Sequence, residues 1–305
     1  MFEVVSQAAA IIACGVLWRK LSPADLDPAV ARRVLTGLVY YLLLPALVLN
    51  VMWHAPASLS MLRVSVLAVL GIGVSLVLAH LWLRHTHVAP AQAGALLLAA
   101  AFPNVTYLGL AVLEQSLGSW ARSVALQYDL FATTPVLFTL GILIARRYGT
   151  ATNEPYRPLH ELVRIPALWA AVVGLGLSMA NVPLPLWLER FLPMLGSGVV
   201  PLMLISLGLG LAWPAQWRQQ FNQIAPVAII RLALTPALIC LASYAFVSEE
   251  PLRTAIVLEA AMPSMLLGVV LCDRYGLDTP LYAATVTMTT LLALGSLPAW
   301  FAILN

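Results

Sequence analysis

The chain reads as an all-α membrane protein: ten transmembrane helices forming two inverted five-helix repeats, with broken helices that cross at mid-membrane. Three observations predict this. Of 305 residues, 61% are hydrophobic and only 10% charged, with a mean hydropathy of +0.91, whereas a soluble domain carries about 25% charge. The apolar residues gather into ten runs, most of them about as long as a bilayer crossing. Two runs are interrupted by proline at matching places, at Ala100-Ala101-Phe102-Pro103-Asn104 and at Ala260-Ala261-Met262-Pro263-Ser264, 160 residues further on.

The runs fall near 2–18, 35–53, 64–83, 91–113, 124–145, 165–180, 192–212, 224–247, 252–271 and 281–304. Membrane β-strands would be about 10 residues long with strict alternation, which these lack. The first run resembles a signal peptide, but it carries Glu3 and no Lys or Arg before its apolar stretch, so it counts as a span. The net charge of +3 is too small and dispersed for a nucleic-acid surface. Cys14, Cys240 and Cys272 show neither metal spacing nor a disulfide framework and read as buried free thiols. No metal site, cofactor or enzyme motif is expected.

Loop charge sets the orientation. Connections after odd-numbered spans hold Arg19, Lys20, Arg32, Arg33, Arg84, Arg146, Arg147, Arg157, Arg164, Arg218 and Arg274, while the opposite loops hold Arg63, Arg122, Arg190 and Arg253. Basic loops stay in the cytoplasm, so both termini lie outside. A polar stretch at 148–162, containing Asn153-Glu154-Pro155, divides a first repeat (1–147) from a second (163–305). Five spans is an odd number, so the second half enters the membrane from the other side and equivalent helices run antiparallel. Leu44-Pro45-Ala46-Leu47 and Val200-Pro201-Leu202-Met203 echo each other, as do Leu117-Gly118 and Gly276-Leu277.

The interruptions define a candidate site. Pro103 and Pro263 each remove a backbone donor and clash with the carbonyl four residues back, so each helix must break. Where it restarts it presents unpaired amides and about half a positive charge. Two such ends meeting at the midplane suit a carboxylate. Asn104 and Ser264 stand at the cap-like positions, where they either touch a ligand or only satisfy local backbone. Val105, Thr106, Met265 and Leu266 follow them.

Ionisable groups at membrane depth are costly and rarely idle. Asp129, flanked by Gln127 and Phe131 as further binding candidates, and Glu259 are candidates for proton coupling; the alternative is that each pairs with a donor such as Arg231. Arg231 itself is expected to snorkel to the headgroups, with pairing to a buried acid or contact with an incoming anion as alternatives. Asn50 either faces the crossing or bonds a neighbouring helix. Gly196-Ser197-Gly198 and Gly208-Leu209-Gly210 read as close-packing sites.

Several segments resemble the auxin efflux carrier family, in its bacterial branch: Leu38 to Leu47, Phe102-Pro103-Asn104-Val105-Thr106-Tyr107-Leu108-Gly109-Leu110, Val200-Pro201-Leu202 with Leu207-Gly208, and Ala260-Ala261-Met262-Pro263 with Asp273 to Asp278. The resemblance implies a fold similar to bile-acid symporters and sodium/proton antiporters. Spans 1, 2, 6 and 7 would form a scaffold, and spans 3–5 and 8–10 a mobile transport domain. It also implies a homodimer and an organic-anion substrate, an auxin-like monocarboxylate or a malate- or malonate-like dicarboxylate. The anion contact would fall on Asn104, with Ser264 opposite and Asn50 on the scaffold side. The long cytoplasmic loop of plant members shrinks here to the linker around Arg157. Ala111 stands where proline is expected, which implies a straighter outer half of the fourth span.

The expectation is a secondary or facilitative carrier in a bacterial inner membrane, with periplasmic termini. It would work by an elevator-type or rocking motion and run outward, driven either by the substrate gradient with the membrane potential or by protons through Asp129 or Glu259. Two alternatives stay open. One is a sodium-coupled symporter of the bile-acid type, for which the oxygen ligands near the crossing are only Asn104, Thr106, Glu259 and Ser264. The other is a carrier-like ligand sensor without net transport.

Overall fold

A computed structural model describes residues 1–22, 26–55, 59–150, 158–211 and 217–305. Their regular elements are helices: α1 (Phe2–Leu21), α2 (Pro28–His54), α3 (Leu59–Leu83), α4 (Pro90–Ala101), α5 (105–117), α6 (Ala121–Tyr148), α7 (Pro166–Met179), α8 (Leu186–Gly210), α9 (217–246), α10 (Glu250–Ala260), α11 (Gly268–Tyr275) and α12 (Thr279–Leu304). A short helix, Pro158–Val163, precedes α7. Seven of these helices are long and apolar enough to cross a membrane, and α4 and α7 are shorter apolar helices. The fourth apolar run is α4 plus α5, and the ninth is α10 plus α11. Asn153-Glu154-Pro155 and Arg157 lie outside the described residues.

Proline shapes the long helices in a way periodicity does not announce. Pro45, Pro135 and Pro236 each follow a π-helical turn, at Val39–Leu43, Asp129–Thr133 and Ile230–Leu234. A proline ring clashes with the carbonyl four residues back, and a wider turn moves that carbonyl aside. For Pro236 the displaced group is the Leu232 carbonyl, which accepts from the Trp300 indole N–H at 2.7 Å. These helices bulge rather than break.

Two groups of helices emerge from the packing. In one, α7 and α8 lie against α2, and α1 lies against α8. The α1–α8 contact is a backbone contact: a Cβ on Gly15 would come within 3.0 Å of the Gly208 Cα, and one on Gly208 would strike the Ile12 carbonyl. Gly208 is therefore a close-packing residue, and Gly196 is another, against Leu47. In the second group α3, α4, α6, α9, α10 and α12 surround the two interruptions. Cys272 is buried and Cys240 half-buried. Cys14 is exposed on α1, contrary to expectation, because the outer surface of this helix is itself apolar.

Candidate functional site

The two interruptions meet. Between Ala101 and Val105 the chain is non-helical, and Pro103 lies antiparallel to Ser264 of the other break. The Asn104 N–H donates to the Pro263 carbonyl at 2.8 Å, and the Met265 N–H donates to the Phe102 carbonyl at 2.9 Å. Neither proline can donate, so the pairing uses amides that follow them in the chain. The Ser264 N–H donates to Thr289 Oγ1 at 3.2 Å, and its hydroxyl donates to the Ala99 carbonyl at 2.7 Å. Non-helical backbone is tolerable at membrane depth when protein satisfies it in this way.

On one side of the crossing, α4 and α10 end and point their free carbonyls inward. Arg231, in the π-helical turn of α9 and only 1% exposed, meets them. Its Nε donates to the Met262 carbonyl at 3.1 Å, and its Nη1 donates to the carbonyls of Ala100 and Ala101, both at 3.2 Å. Nη2 donates to the Ala260 carbonyl. Nη1 also reaches Ser75 Oγ at 3.4 Å, and Ser75 shares a 2.7 Å hydrogen bond with Thr235. Arg231 therefore does not snorkel. Two C-terminal helix ends supply the negative charge that headgroups or a carboxylate would otherwise supply, and the five-donor fork of arginine serves both at once.

On the other side, α5 restarts at a cavity of about 170 Å³ that the approach to α11 also lines. Asn104, Thr106 and Tyr107 come from the start of α5, Met265 and Leu266 from the second break, and Asp129 from α6. Thr36 and Tyr40 of α2 form the facing wall. Asn104 is 3% exposed, and its Nδ2 has no hydrogen-bond partner among the described residues. Asp129 receives hydrogen bonds from the Thr106 hydroxyl and, at 2.9 Å, from Thr134 Oγ1. Thr36 links across to Ser206 at 2.9 Å and to the Tyr107 hydroxyl. The wall is mostly apolar, with one free amide donor and one tethered carboxyl.

Several expected binding residues lie off this wall. The Ser264 side chain is turned to the Ala99 carbonyl, because the crossing leaves that carbonyl in need of a donor. Val105 is buried behind the first turn of α5, and Gln127 and Phe131 flank Asp129 without lining the cavity. Asn50 is near the far end of α2, where its carbonyl bonds His54 Nδ1 at 2.8 Å. Glu259 is fully buried outside the cavity, with no partner for either carboxyl oxygen among the described residues. It lies against Gly109, where any Cβ would collide with it. Thr36, Tyr40, Tyr107 and Thr134 were not anticipated; Thr36 and Tyr40 are one turn apart on α2, a spacing that could have flagged a polar face. Among the described residues no three His, Cys, Asp or Glu side chains cluster as metal ligands would.

A multi-span apolar bundle with a small, partly polar cavity beside broken helices is the build of a membrane transport protein. The family model described as Membrane transport protein matches residues 3–155 and 157–301, and the chain belongs to that family, the one that contains the auxin efflux carriers. It is 29% identical over 272 residues to an "Uncharacterized transporter" of Methanothermobacter thermautotrophicus, covering 88% of each chain. A second "Uncharacterized transporter", from Methanocaldococcus jannaschii, is 26% identical over 278 residues, again covering 88% of each. The "Uncharacterized transporter YfdV" of Escherichia coli is 22% identical over 222 residues, covering 71% of this chain and 69% of its own.

Proposed function

We propose that this membrane transporter is a secondary carrier of small organic anions. It would be built as two inverted five-helix repeats and work by an elevator-type motion. The single observation that carries the reading is the Asn104 amide: buried, unpartnered and on the wall of a cavity where a helix begins. Amide donors and a positive helix end favour a carboxylate there. Arg231 supports the same polarity, because the negative helix ends are neutralised on the opposite side of the crossing. A cavity of about 170 Å³ suits a small metabolite, since drug-sized ligands occupy roughly 300–1,000 Å³.

Asp129 supports proton coupling. A charged carboxyl on the cavity wall repels an anionic cargo, and a proton on it removes the repulsion while the Thr106 and Thr134 bonds keep it in place. Glu259 is a second candidate acid. Its unpartnered oxygens equally favour the reading of sodium coupling, because a buried carboxylate requires a cation or a proton. The carrier would be a homodimer in the inner membrane, with periplasmic termini, running outward.

A thermal-shift screen of monocarboxylates and dicarboxylates on purified protein tests the proposal. A stabilising carboxylate should lose its effect in Asn104→Ala. Stabilisation that survives this change, or a screen in which only cations stabilise, would refute the anion reading.

A further inference from the structure

The surface of the bundle carries a second concavity, a furrow between α1 and α12 of about 360 Å³. Ala9 and Ala13, four residues apart on one face of α1, give it depth. Leu17 of α1 and Leu291 and Leu294 of α12 wall it in, and Leu17 and Leu291 are both exposed. At one end stand two cations. Lys20 lines the furrow, and the Arg19 guanidinium donates to the carbonyl of Leu211, another lining residue. Neither cation has an acidic partner within salt-bridge distance among the described residues. From Lys20 to Ala9 the furrow runs 11 residues, about 16 Å of helix, which is about half the ~30 Å hydrocarbon core.

We propose that this furrow binds a phospholipid with an anionic headgroup, its phosphate against Arg19 and Lys20 and one acyl chain lying along Ala13 and Ala9. The charge, apolarity and length of the groove all match that occupant. Basic clusters at a membrane surface attract anionic headgroups. A second copy of the chain fits less well. Symmetric pairing through the furrow, about an axis normal to the membrane, would bring the Arg19–Lys20 clusters of both copies to the same depth and close together. The site stands apart from the cargo cavity and does not rest on the function proposed for it.

The test is native mass spectrometry and thermal unfolding of the detergent-purified protein with phosphatidylglycerol or with phosphatidylcholine of the same acyl chains. Phosphatidylglycerol should be retained more and should raise the melting temperature by a few degrees more. Lys20→Gln, at an exposed position, should abolish that preference. Ala13→Phe should fill the groove and remove the bound lipid. Equal retention of both lipids by the wild type, or an unchanged preference in both variants, would overturn the proposal. So would loss of a dimer in Ala13→Phe with lipid retention intact, which would assign the groove to a second copy.

Discussion

The Arg231 side chain and the Met262 carbonyl are 3.1 Å apart, and the same guanidinium reaches Ala101 at 3.2 Å on the other broken helix. One cation thereby ties together chain segments that are 161 residues apart and gives the crossing its electrostatic direction. Negative helix ends are spent on Arg231, and the restarting end of α5 is left facing the cavity.

Removing that cation should be severe. Arg231→Met leaves four carbonyls without their donor, at about 1–3 kcal/mol for each group that stays unsatisfied. Four such groups amount to about 4 kcal/mol or more, and at roughly 2 °C per kcal/mol for a large chain, thermal unfolding in detergent should show a drop of about 8 °C or more. Arg231→Lys should recover only part of it, because an ammonium lacks the planar fork. A variant that melts with the wild type would show that the crossing does not depend on this residue.

Gly109 should tolerate no side chain while Glu259 is present. A Cβ there would collide with the buried carboxyl, and overpacking costs about 1–3 kcal/mol. In a Glu259→Ala background the same Gly109→Ala change should cost far less. Unfolding of the single and double variants measures the coupling, and purely additive costs would contradict the contact.

Asn104→Ala should weaken binding of the stabilising carboxylate by about 10- to 100-fold, the loss of a hydrogen bond to a charged group being worth about 1.5–3 kcal/mol. Its unfolding temperature without ligand should barely move, because the Asn104 Nδ2 has no partner among the described residues to lose. Titration by thermal shift checks both halves of the statement.

Asp129→Asn should mimic the protonated side chain. Carboxylate binding should persist and lose its dependence on pH, while accumulation driven by a proton gradient in liposomes disappears. If Asp129→Asn and Glu259→Gln both accumulate substrate like the wild type, neither acid couples transport to protons.

The breaks were legible because proline in a long apolar run has few outcomes, and 160-residue spacing singled out this pair. Asn104, Thr106, Met265 and Leu266 were legible as lining residues because they sit beside a break; Asp129 was legible only as an acid at membrane depth, and its place on the cavity wall comes from the packing of α6. For Ser264 the two readings could not be separated from its position, which equals that of Asn104; its hydroxyl is claimed by Ala99 across the crossing, a contact no single segment reveals. Arg231 stood out as a charge in an apolar run, but its partners are backbone carbonyls, which every residue has and no sequence marks. Pro45, Pro135 and Pro236 look much like Pro103 in sequence, yet their helices bulge through a π-helical turn where the Pro103 helix breaks.

The most direct measurement is a density map of the protein with a stabilising carboxylate bound. The account predicts the carboxylate within hydrogen-bond reach of Asn104 Nδ2, in the cavity between α5 and α2, with Arg231 still holding the helix ends. Density for the ligand against Arg231, or outside that cavity, would contradict it.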